Sequence, residues 1–495
     1  MNPSKKEGDD LDLGELEKWR ENNRLEVKAA QGGLPGDVWS SVSAFANTNG
    51  GLIVLGVKEN MKTRELRVLG VPDAQKMLED FTNAANSADK LSYPVFSDEH
   101  LGIEDIGGKE VVVIEVPRVG RRHRPVYEGK DIFAGTYRRK FTGDYHCGRE
   151  EVAGMLRDSA EEPLDLEPAE HSKLSDLDFE TVRSYRTSYN IHHAGGAWTK
   201  LPDDQFLCRI GAADELDDGT VVPTRAGVLM FGQEWKIVHD FPNYFLDYRE
   251  QRGSNRRWED RFTSQDPEWS GNVFDFYERV YNRLKQALKV PFNLDGIYRV
   301  EDTPAHEALR EALANMLTNA DYGASRPVVC RWTDEGIEFA NPGGFRVGIE
   351  QALRGGTSDA RNKTMLKMFT MIEVGERAGS GVPNMLEQWA SCGYSNPRLE
   401  ERVDPEVSTV FLPLDAGLQG SGKVEAEIPD GLTDREAMAY AIAAERGRVT
   451  TKALVDASGA SRQTASDTLK GLAARGVLSW HGRSANDPSQ YYTVQ

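Results

Sequence analysis

Two stretches without apolar periodicity divide this chain. Residues 158–176 are acidic and contain two prolines, and residues 416–430 combine glycines with glutamates. Such compositions are typical of linkers, because they bury little apolar surface and interrupt helices and strands. A chain of 495 residues also exceeds what one hydrophobic core organises. The sequence therefore predicts an acidic N-terminal lead-in followed by four larger blocks: residues 1–20, 21–157, 177–303, 304–415 and 431–495.

The first large block alternates strand-like and helix-like patterns. The runs LEVKAA, GLIVLGVKE and KEVVVIEVPR are typical of strands, whereas DVWSSVSAFAN and residues 74–88 show helical spacing of apolar side chains. A compact mixed α/β domain is expected from this alternation. Later blocks add helices at residues 273–288 and from Pro304 onward, so the predicted fold class is multidomain α/β and α+β.

A run of Asn and Gly directly precedes one of these apolar strands. Asn47, Asn49, Gly50 and Gly51 come before the buried-strand pattern of Leu52–Leu55. A tight turn needs only one or two residues with positive φ, and this segment supplies several. We expect either a plain tight turn or a close approach to the backbone by a phosphate or a neighbouring strand.

Charge separates one segment from the rest of the chain. The formal net charge of −19 argues against a protein that coats nucleic acid with its whole surface. The segment Arg118–Lys140, here called the basic segment, carries eight Lys or Arg residues against two acidic residues. Tyr127, Phe133 and Tyr137 are interleaved with them, a pattern typical of surfaces that bind nucleic acid or phosphate. A solvated loop is the alternative interpretation.

The sequence gives no sign of a membrane partner. No run approaches the roughly 20 apolar residues that span a bilayer, and the polar, acidic N-terminus is unlike a signal peptide. The four cysteines lie far apart, without the spacing of a zinc site or a disulfide framework. These observations predict a cytoplasmic protein with free thiols.

Several separated motifs in the first block resemble the Schlafen-type AlbA domain. They are ENNRLEVK, FANTNGG, LGV, RPVY and TYRR, and the resemblance covers residues 15–157. That family binds nucleic acid, so the resemblance implies the same here. The residues predicted to contact nucleic acid in this domain are Lys28, Asn47, Asn49, Arg121, Arg122, Arg124, Arg138 and Arg139.

Some Schlafen relatives are RNases, which leaves a nuclease as an alternative. Those enzymes hold a divalent metal with two glutamates five positions apart and an acidic residue after the GV strand. Glu21 and Glu26 match that spacing, and Glu59 stands near the position of the missing aspartate. Carboxylates suit hard cations, and a bound metal can activate water. Against this, Lys58 would disfavour a metal, and Glu26 could instead pair with Lys28 or with an arginine of the basic segment.

A second set of motifs resembles the divergent GHKL-type ATPase domain, a Bergerat-type α/β sandwich. They are PTRAGVLMFG, REALANMLTNADYG, EFANPGGF, SDARNKTM and GERAGSGVPNM, within residues 176–415. The resemblance implies ATP and Mg²⁺ as cofactors, with Glu311 orienting water and Asn315 holding Mg²⁺. A spacing of four residues places both side chains on one helix face. The other predicted nucleotide contacts are Asp321, Asn341, Gly343, Gly344, Arg361, Gly379 and Gly381.

Two departures from the GHKL pattern favour nucleotide binding over efficient hydrolysis. The family's His-Arg-Asp-Tyr is replaced by Asn319–Tyr322, and the aspartate that reads adenine is replaced near Asn341–Gly344. The enzymatic activity predicted for this domain is therefore a weak ATPase. The alternative is a degenerate fold that serves as an oligomerisation scaffold.

The last block has the pattern of a winged helix: three short helices broken by Gly or polar residues, then two strands. The predicted DNA contacts are Ser461, Arg462, Gln463 and Thr464 at the start of the recognition helix, and Arg483 in the wing. Eight Lys or Arg residues against six acidic ones give this block only a small positive charge. A homo-oligomer, a dimer or larger, would multiply the contacts and is therefore expected.

Together these patterns predict a transcriptional regulator of bacterial type that binds nucleic acid and responds to a nucleotide. Duplex DNA is the expected partner, and RNA remains open. The alternative is a metal-dependent nuclease effector gated by the GHKL-like domain, as in defence against phage. An assembly scaffold with neither activity is the third possibility.

Overall fold

The computed structural model describes residues 24–495 except 61, 254–257, 289–293, 296–297, 300–302, 376–379, 404, 416–431, 447–448, 452–453, 456–459, 476, 482–490 and 495. The elements fall into a first domain, a large second domain and a small C-terminal unit. The part of the chain described contains no helix long and apolar enough to cross a membrane.

The first domain is built on a four-stranded sheet with the order β1-β2-β6-β5. Strand β1 is parallel to β2, while β6 is antiparallel to both β2 and β5. The strands of the whole first domain, including the separate pairs β3–β4 and β7–β8, are β1 (Leu25–Lys28), β2 (Gly51–Leu55), β3 (Val57–Glu59), β4 (Leu66–Val68), β5 (Leu101–Asp105), β6 (Glu110–Val116), β7 (Tyr137–Lys140) and β8 (Gly143–His146). Its helices are α1 (Val38–Ala46), α2 (Ala74–Ala85), α3 (Ile132–Gly135) and α4 (Arg149–Ser159), with short 3₁₀ turns at Asp98–His100 and Arg121–His123.

Alternation along the central strands explains why this sheet is buried on both faces. Ile53 and Leu55 pack into the cluster formed with α1 and α2, whereas Val54 packs into a second cluster with Leu25 and Val27. Successive side chains of a strand point to opposite faces, so an unbroken apolar run serves two cores at once.

The Asn-Gly-Gly turn is shaped by the protein's own chain. Gly50 has a φ of +69°, and a Cβ there would lie 2.8 Å from the carbonyl oxygen of Val116. A Cβ on Gly51 would overlap the ring of Phe45. Both glycines are thus required by the close approach of the end of strand β6 and of helix α1.

The second domain is built on a six-stranded sheet with the order β12-β11-β15-β16-β18-β17. The β11–β15 pair is parallel and the other neighbours are antiparallel. The sheet strands are β11 (Leu246–Gln251), β12 (Asp260–Thr263), β15 (Val328–Thr333), β16 (Gly336–Pro342), β17 (Arg398–Val403) and β18 (Glu406–Pro413), and short pairs are formed by β9 (Ala213–Glu215) with β10 (Val221–Pro223) and β13 (Leu294–Asp295) with β14 (Tyr298–Arg299).

Helices pack on this sheet around one core that runs from Ala169 to Leu412. They are α5 (Phe179–His192), α6 (Asp203–Ile210), α7 (Arg225–Phe231), α8 (Glu234–Asp240), α9 (Val273–Leu284), α10 (Pro304–Asn319), α11 (Ile349–Arg354), α12 (Lys363–Met371) and α13 (Gly381–Ser391), with 3₁₀ turns at Leu164–Leu166, Leu174–Asp176, Ala197–Lys200 and Lys285–Ala287. The blocks expected at 177–303 and 304–415 therefore share one sheet and one core.

Residues 158–176, expected to be a linker, pack against the second domain. Asp165 is buried, and its Oδ2 accepts hydrogen bonds from the backbone N–H groups of Thr364 and Met365 at the start of α12. Ala169 belongs to the core of the same domain. Within this segment Asp165 therefore makes specific polar contacts, whereas Glu161, Glu162, Glu167 and Glu170 are exposed.

The C-terminal unit has its own apolar cluster. It contains α14 (Asp434–Arg446), α15 (Arg462–Ala474) and the antiparallel pair β19 (Leu478–His481) and β20 (Tyr491–Val494). Ser461 precedes α15, and its hydroxyl accepts a hydrogen bond from the N–H of Thr464 at 3.2 Å. An N-cap of this kind satisfies one of the N–H groups that a helix start leaves unpaired.

Candidate functional site

A cavity in the second domain brings together part of the predicted nucleotide site. It measures about 100 Å³ and is lined by Glu311 and Asn315 of α10, one helical turn apart. The Nδ2 group of Asn315 donates a hydrogen bond to Oε1 of Glu311 at 3.0 Å. Asn341, Gly344 and Gly381 line the same cavity. Carboxylate and amide oxygens facing one space are the donor set that Mg²⁺ prefers.

Gly381 shows why a glycine stands at the start of α13. A Cβ at this position would overlap the carboxylate of Glu311. The absence of a side chain thus lets α13 approach α10 and leaves space beside the Glu311–Asn315 pair. The oxygen donors beside this space are of the kind that suits the metal implied by the motifs.

Three predicted nucleotide residues lie outside this cavity. Asp321 accepts a hydrogen bond from Nη2 of Arg157 at 2.7 Å, and Arg361 is buried against Asp158. Gly343 packs on Arg361, because a Cβ there would lie 2.8 Å from the guanidinium. Another predicted residue, Gly379, lies outside the described residues.

Asp158 is the centre of a buried ionic cluster between α4 and the second domain. Its carboxylate accepts hydrogen bonds from Nε and Nη2 of Arg361 at 2.7 and 2.8 Å and from Nε of Arg346 at 3.2 Å. Burial alone would raise the pKa of Asp158, but the two guanidinium groups outweigh it and hold the pKa well below its ordinary value. The cluster fixes α4, and with it the first domain, to residues beside the cavity.

Some arginines of the basic segment contact the second domain in the structure. Arg121 is buried and forms a bidentate pair with Asp359, in which Nη2 donates to Oδ1 at 3.0 Å. Nη2 of Arg138, also buried, donates to Oε1 of Glu406 at 2.9 Å. The contacts predicted for nucleic acid are thus made here with carboxylates of the second domain. Asp359 itself lines the cavity of Glu311.

Arg118 forms a third contact between the first and second domains. This residue belongs to the basic segment but was not among the residues predicted to bind nucleic acid. Its Nη1 donates to Oε2 of Glu401 at 3.2 Å, and its Nη2 donates to the carbonyl oxygen of Phe345 at 3.3 Å. Phe345 lines the cavity as well. The one signal for this contact in the sequence was charge, because acidic residues near position 400 complement the basic segment. Local patterns do not reveal which of these residues form pairs.

The remaining predicted residues of the first domain differ in exposure. The Asn47 side chain is buried and bonds the backbone of Val126 in both directions, at 2.8 and 2.7 Å. Asn49 and Arg122 are exposed. Arg124 is buried at 8% relative exposure. Of this group, only the exposed residues present side chains to solvent in the described arrangement.

Two glutamates of the nuclease alternative, Glu26 and Glu59, form ion pairs with basic side chains. Glu26 forms ion pairs with Lys28 at 3.2 Å and with Arg139 at 2.9 Å, as the opposing interpretation anticipated. Glu59 pairs with Arg64 at 3.1 Å. Among the residues described, no group of three or more His, Cys, Asp or Glu side chains could hold a metal ion. Glu21 lies outside the described residues, so metal-dependent cleavage stays an untested prediction.

The predicted DNA contacts of the C-terminal unit lie at the start of α15. Arg462 and Gln463 are exposed there, and Gln463 donates to Asp467 at 3.2 Å. Ser461 and Thr464 bond each other in the N-cap. Arg483 is outside the described residues. The exposed side chains of Ser461, Arg462 and Gln463 are therefore the part of this prediction that is available to a ligand.

Three family models match parts of the chain. Residues 21–146 match the Schlafen AlbA_2 family, and residues 326–410 match the family described as "Putative ATP-dependent DNA helicase recG C-terminal" (HATPase_c_4). Residues 153–247 match a domain of unknown function, DUF8451. The chain therefore contains a Schlafen AlbA_2 domain, which confirms that prediction, and a domain of the recG C-terminal type.

Solved structures give weaker likenesses. The DIP2311 protein from Corynebacterium diphtheriae is 18% identical, with 95% of this chain and 91% of that chain covered and a TM-score of 0.41. The N-terminal domain of a RecG-related protein from Nitrosomonas europaea is 31% identical, with 28% of this chain and 90% of that chain covered and a TM-score of 0.22. No curated protein matches the chain.

Proposed function

We propose that this protein is a nucleic-acid-binding regulator whose affinity for nucleic acid is controlled by a nucleotide bound in the second domain. The AlbA_2 and recG-type matches support a protein that is associated with nucleic acid and related to ATP. The transcriptional role and the winged helix that would read duplex DNA are part of the proposal. So is ATP with Mg²⁺, which Glu311 and Asn315 would hold and which would supply a high negative charge to the cavity.

One observation carries the proposal: Asp359 lines the cavity and is also the partner of Arg121. The carboxylate that would sense the phosphates of the nucleotide is thus also the ion-pair partner of an arginine that is predicted to bind nucleic acid. Burial raises the pKa of Asp359, but Arg121 first and Arg346 next outweigh this, so the pKa lies below its ordinary value. Asp359 therefore carries its negative charge at neutral pH.

Electrostatics gives the direction of the control. A nucleotide in the cavity would place like charge near Asp359 and weaken its hold on Arg121. Arg118, which bonds the backbone of Phe345 in the cavity wall, would respond to the same event. Release of these arginines would expose the basic segment to nucleic-acid phosphates. Binding at the two sites would then be coupled, because each ligand favours the same open arrangement.

The test is retention of labelled tRNA, single-stranded DNA and duplex DNA, with and without Mg-ATP. We expect Mg-ATP to tighten retention by about tenfold, within the range typical of coupled sites. The Asn315→Ala variant should lose this effect, whereas Asn86→Ala, at the exposed end of α2, should keep it. Equal retention with and without Mg-ATP would refute nucleotide control. Cleavage of any substrate would favour the nuclease alternative instead.

A further inference from the structure

A small cavity of about 10 Å³ lies between the first and second domains. The first domain supplies Asn47–Asn49 of the glycine-rich turn and three arginines, and the second domain supplies Glu401 and Glu406. It is distinct from the cavity of Glu311, with which it shares no lining residue. A space of this size holds roughly one water-sized particle.

The charges around this cavity do not balance. Arg118 pairs with Glu401 at 3.2 Å, and Arg138 pairs with Glu406 at 2.9 Å. The third arginine, Arg124, is 8% exposed, and its buried Nε has no hydrogen-bond partner among the described residues. Within that part of the chain no ion pair reaches it either. Three guanidinium groups therefore face two carboxylates, which leaves one positive charge.

Arg124 keeps that charge at neutral pH. Burial, followed by repulsion from Arg118 and Arg138, lowers the pKa of Arg124 to about 10. The carboxylates of Glu406 and Asp158 act in the opposite direction. A guanidinium with this pKa is protonated at pH 7. Charges removed from water are strongly destabilising unless a counter-charge accompanies them.

We propose that a single small anion of about the size of chloride binds in this cavity and neutralises Arg124. Its size excludes a nucleotide, and the carboxylates of Glu401 and Glu406 in the wall would repel a polyanion such as nucleic acid. The side chains that surround it come from both domains. The bound anion therefore stabilises the docked arrangement of the two domains, independently of any nucleotide.

The first test is thermal unfolding of the full chain while chloride replaces gluconate at constant ionic strength. We expect the Tm of the wild type to rise by roughly 2 °C or more between about 5 and about 200 mM chloride, and then to level off, as mass action requires for a bound ligand. The Arg124→Met variant should show no such rise. At low chloride it should be at least as stable as the wild type, because it has no unpaired charge to bury.

Lys130→Met is the matched control, because Lys130 lies in the basic segment and pairs with exposed Asp89 away from the cavity. This variant should keep the full chloride response. A response that persists in Arg124→Met, or no response in the wild type, would overturn the proposal. A response to phosphate or to an oligonucleotide, with none to chloride, would also overturn it and assign the cavity to a phosphate group.

Bromide provides a direct measurement that needs no variant. Crystals of the full chain grown in sodium bromide should show an anomalous peak within hydrogen-bonding distance of Nε of Arg124. Data that show bromide elsewhere on the protein but none at this cavity would refute the site.

Discussion

The guanidinium of Arg121 and the carboxylate of Asp359, 238 residues apart in the chain, form a bidentate pair in which Nη2 and Oδ1 are 3.0 Å apart. Arg121 also donates through Nη1 to the carbonyl oxygens of Asp158 and Ala160, at 2.6 and 2.9 Å. Its five donor positions are thus largely used within the protein. Any role of Arg121 in binding a ligand requires that the two domains separate locally.

Replacing Asp359 with asparagine should destabilise the contact between the first two domains. The change leaves the buried guanidinium of Arg121 without its charge partner, and losses of this kind cost about 3 kcal/mol. Urea denaturation should show an earlier transition for Asp359→Asn. In contrast, Asp89→Asn removes an exposed partner of Lys130 and should leave the transition unchanged. Equal midpoints for wild type and Asp359→Asn would show that the pair does not hold the domains together.

Acid should weaken the protein through Asp158. Its pKa in the folded protein is lower than the value of about 3.9 expected in the unfolded chain. The unfolded state therefore takes up a proton first, so the stabilisation is complete above about pH 4 and is lost as the pH falls towards the folded pKa. Unfolding free energies measured between about pH 5 and pH 2 should fall more steeply for the wild type than for Asp158→Asn. Parallel pH profiles would contradict this assignment.

Substituting alanine for Gly381 should impair nucleotide binding. The new Cβ would overlap the carboxylate of Glu311 and displace either that side chain or the start of α13. Titration with a fluorescent ATP analogue should show affinity reduced by about tenfold or more, which corresponds to about 1.4 kcal/mol. Gly348→Ala is the matched control, since no atom lies within 4 Å of the added Cβ. Unchanged affinity in Gly381→Ala would mean that the nucleotide does not use this cavity.

Alanine at Arg462 should weaken binding of duplex DNA without affecting nucleotide affinity. Arg462 is exposed at the start of α15, and under the proposed function this helix would insert its N-terminal side chains into the major groove. We expect a loss of roughly 1–3 kcal/mol in specific DNA binding, as for one arginine–base contact. Gel shifts with Arg435→Ala, an exposed arginine of α14, provide the comparison. A similar loss in both variants would indicate a general charge effect instead of groove recognition.

Local patterns predicted the elements well where burial is periodic. The apolar spacing from Leu309 to Leu317 marked α10, which begins at Pro304, and the LIVL run marked β2. The same spacing placed Glu311 beside Asn315, because helical geometry fixes residues four apart on one face. These inferences depend only on neighbours in the chain.

Contacts between distant segments could not be predicted in this way. A basic segment satisfied by phosphates and one satisfied by carboxylates look identical in sequence, and only the fold places Asp359 next to Arg121. Asn47 is a related case, because local sequence does not reveal that its side-chain amide bonds the backbone of Val126. The acidic segment at 158–176 likewise carries buried carboxylates whose partners lie some 200 residues further along the chain.

The parallel pairing of β11 with β15 has a consequence for any excised fragment of this protein. Residues 304–415 contain four strands of the six-stranded sheet, but β11, at Leu246–Gln251, lies outside them. A fragment with those bounds would expose the full hydrogen-bonding edge of Val328–Thr333. Open edges of this kind pair with other chains, so the isolated fragment should aggregate, whereas one that begins before Ala169 keeps β11 and the whole core and should remain dispersed.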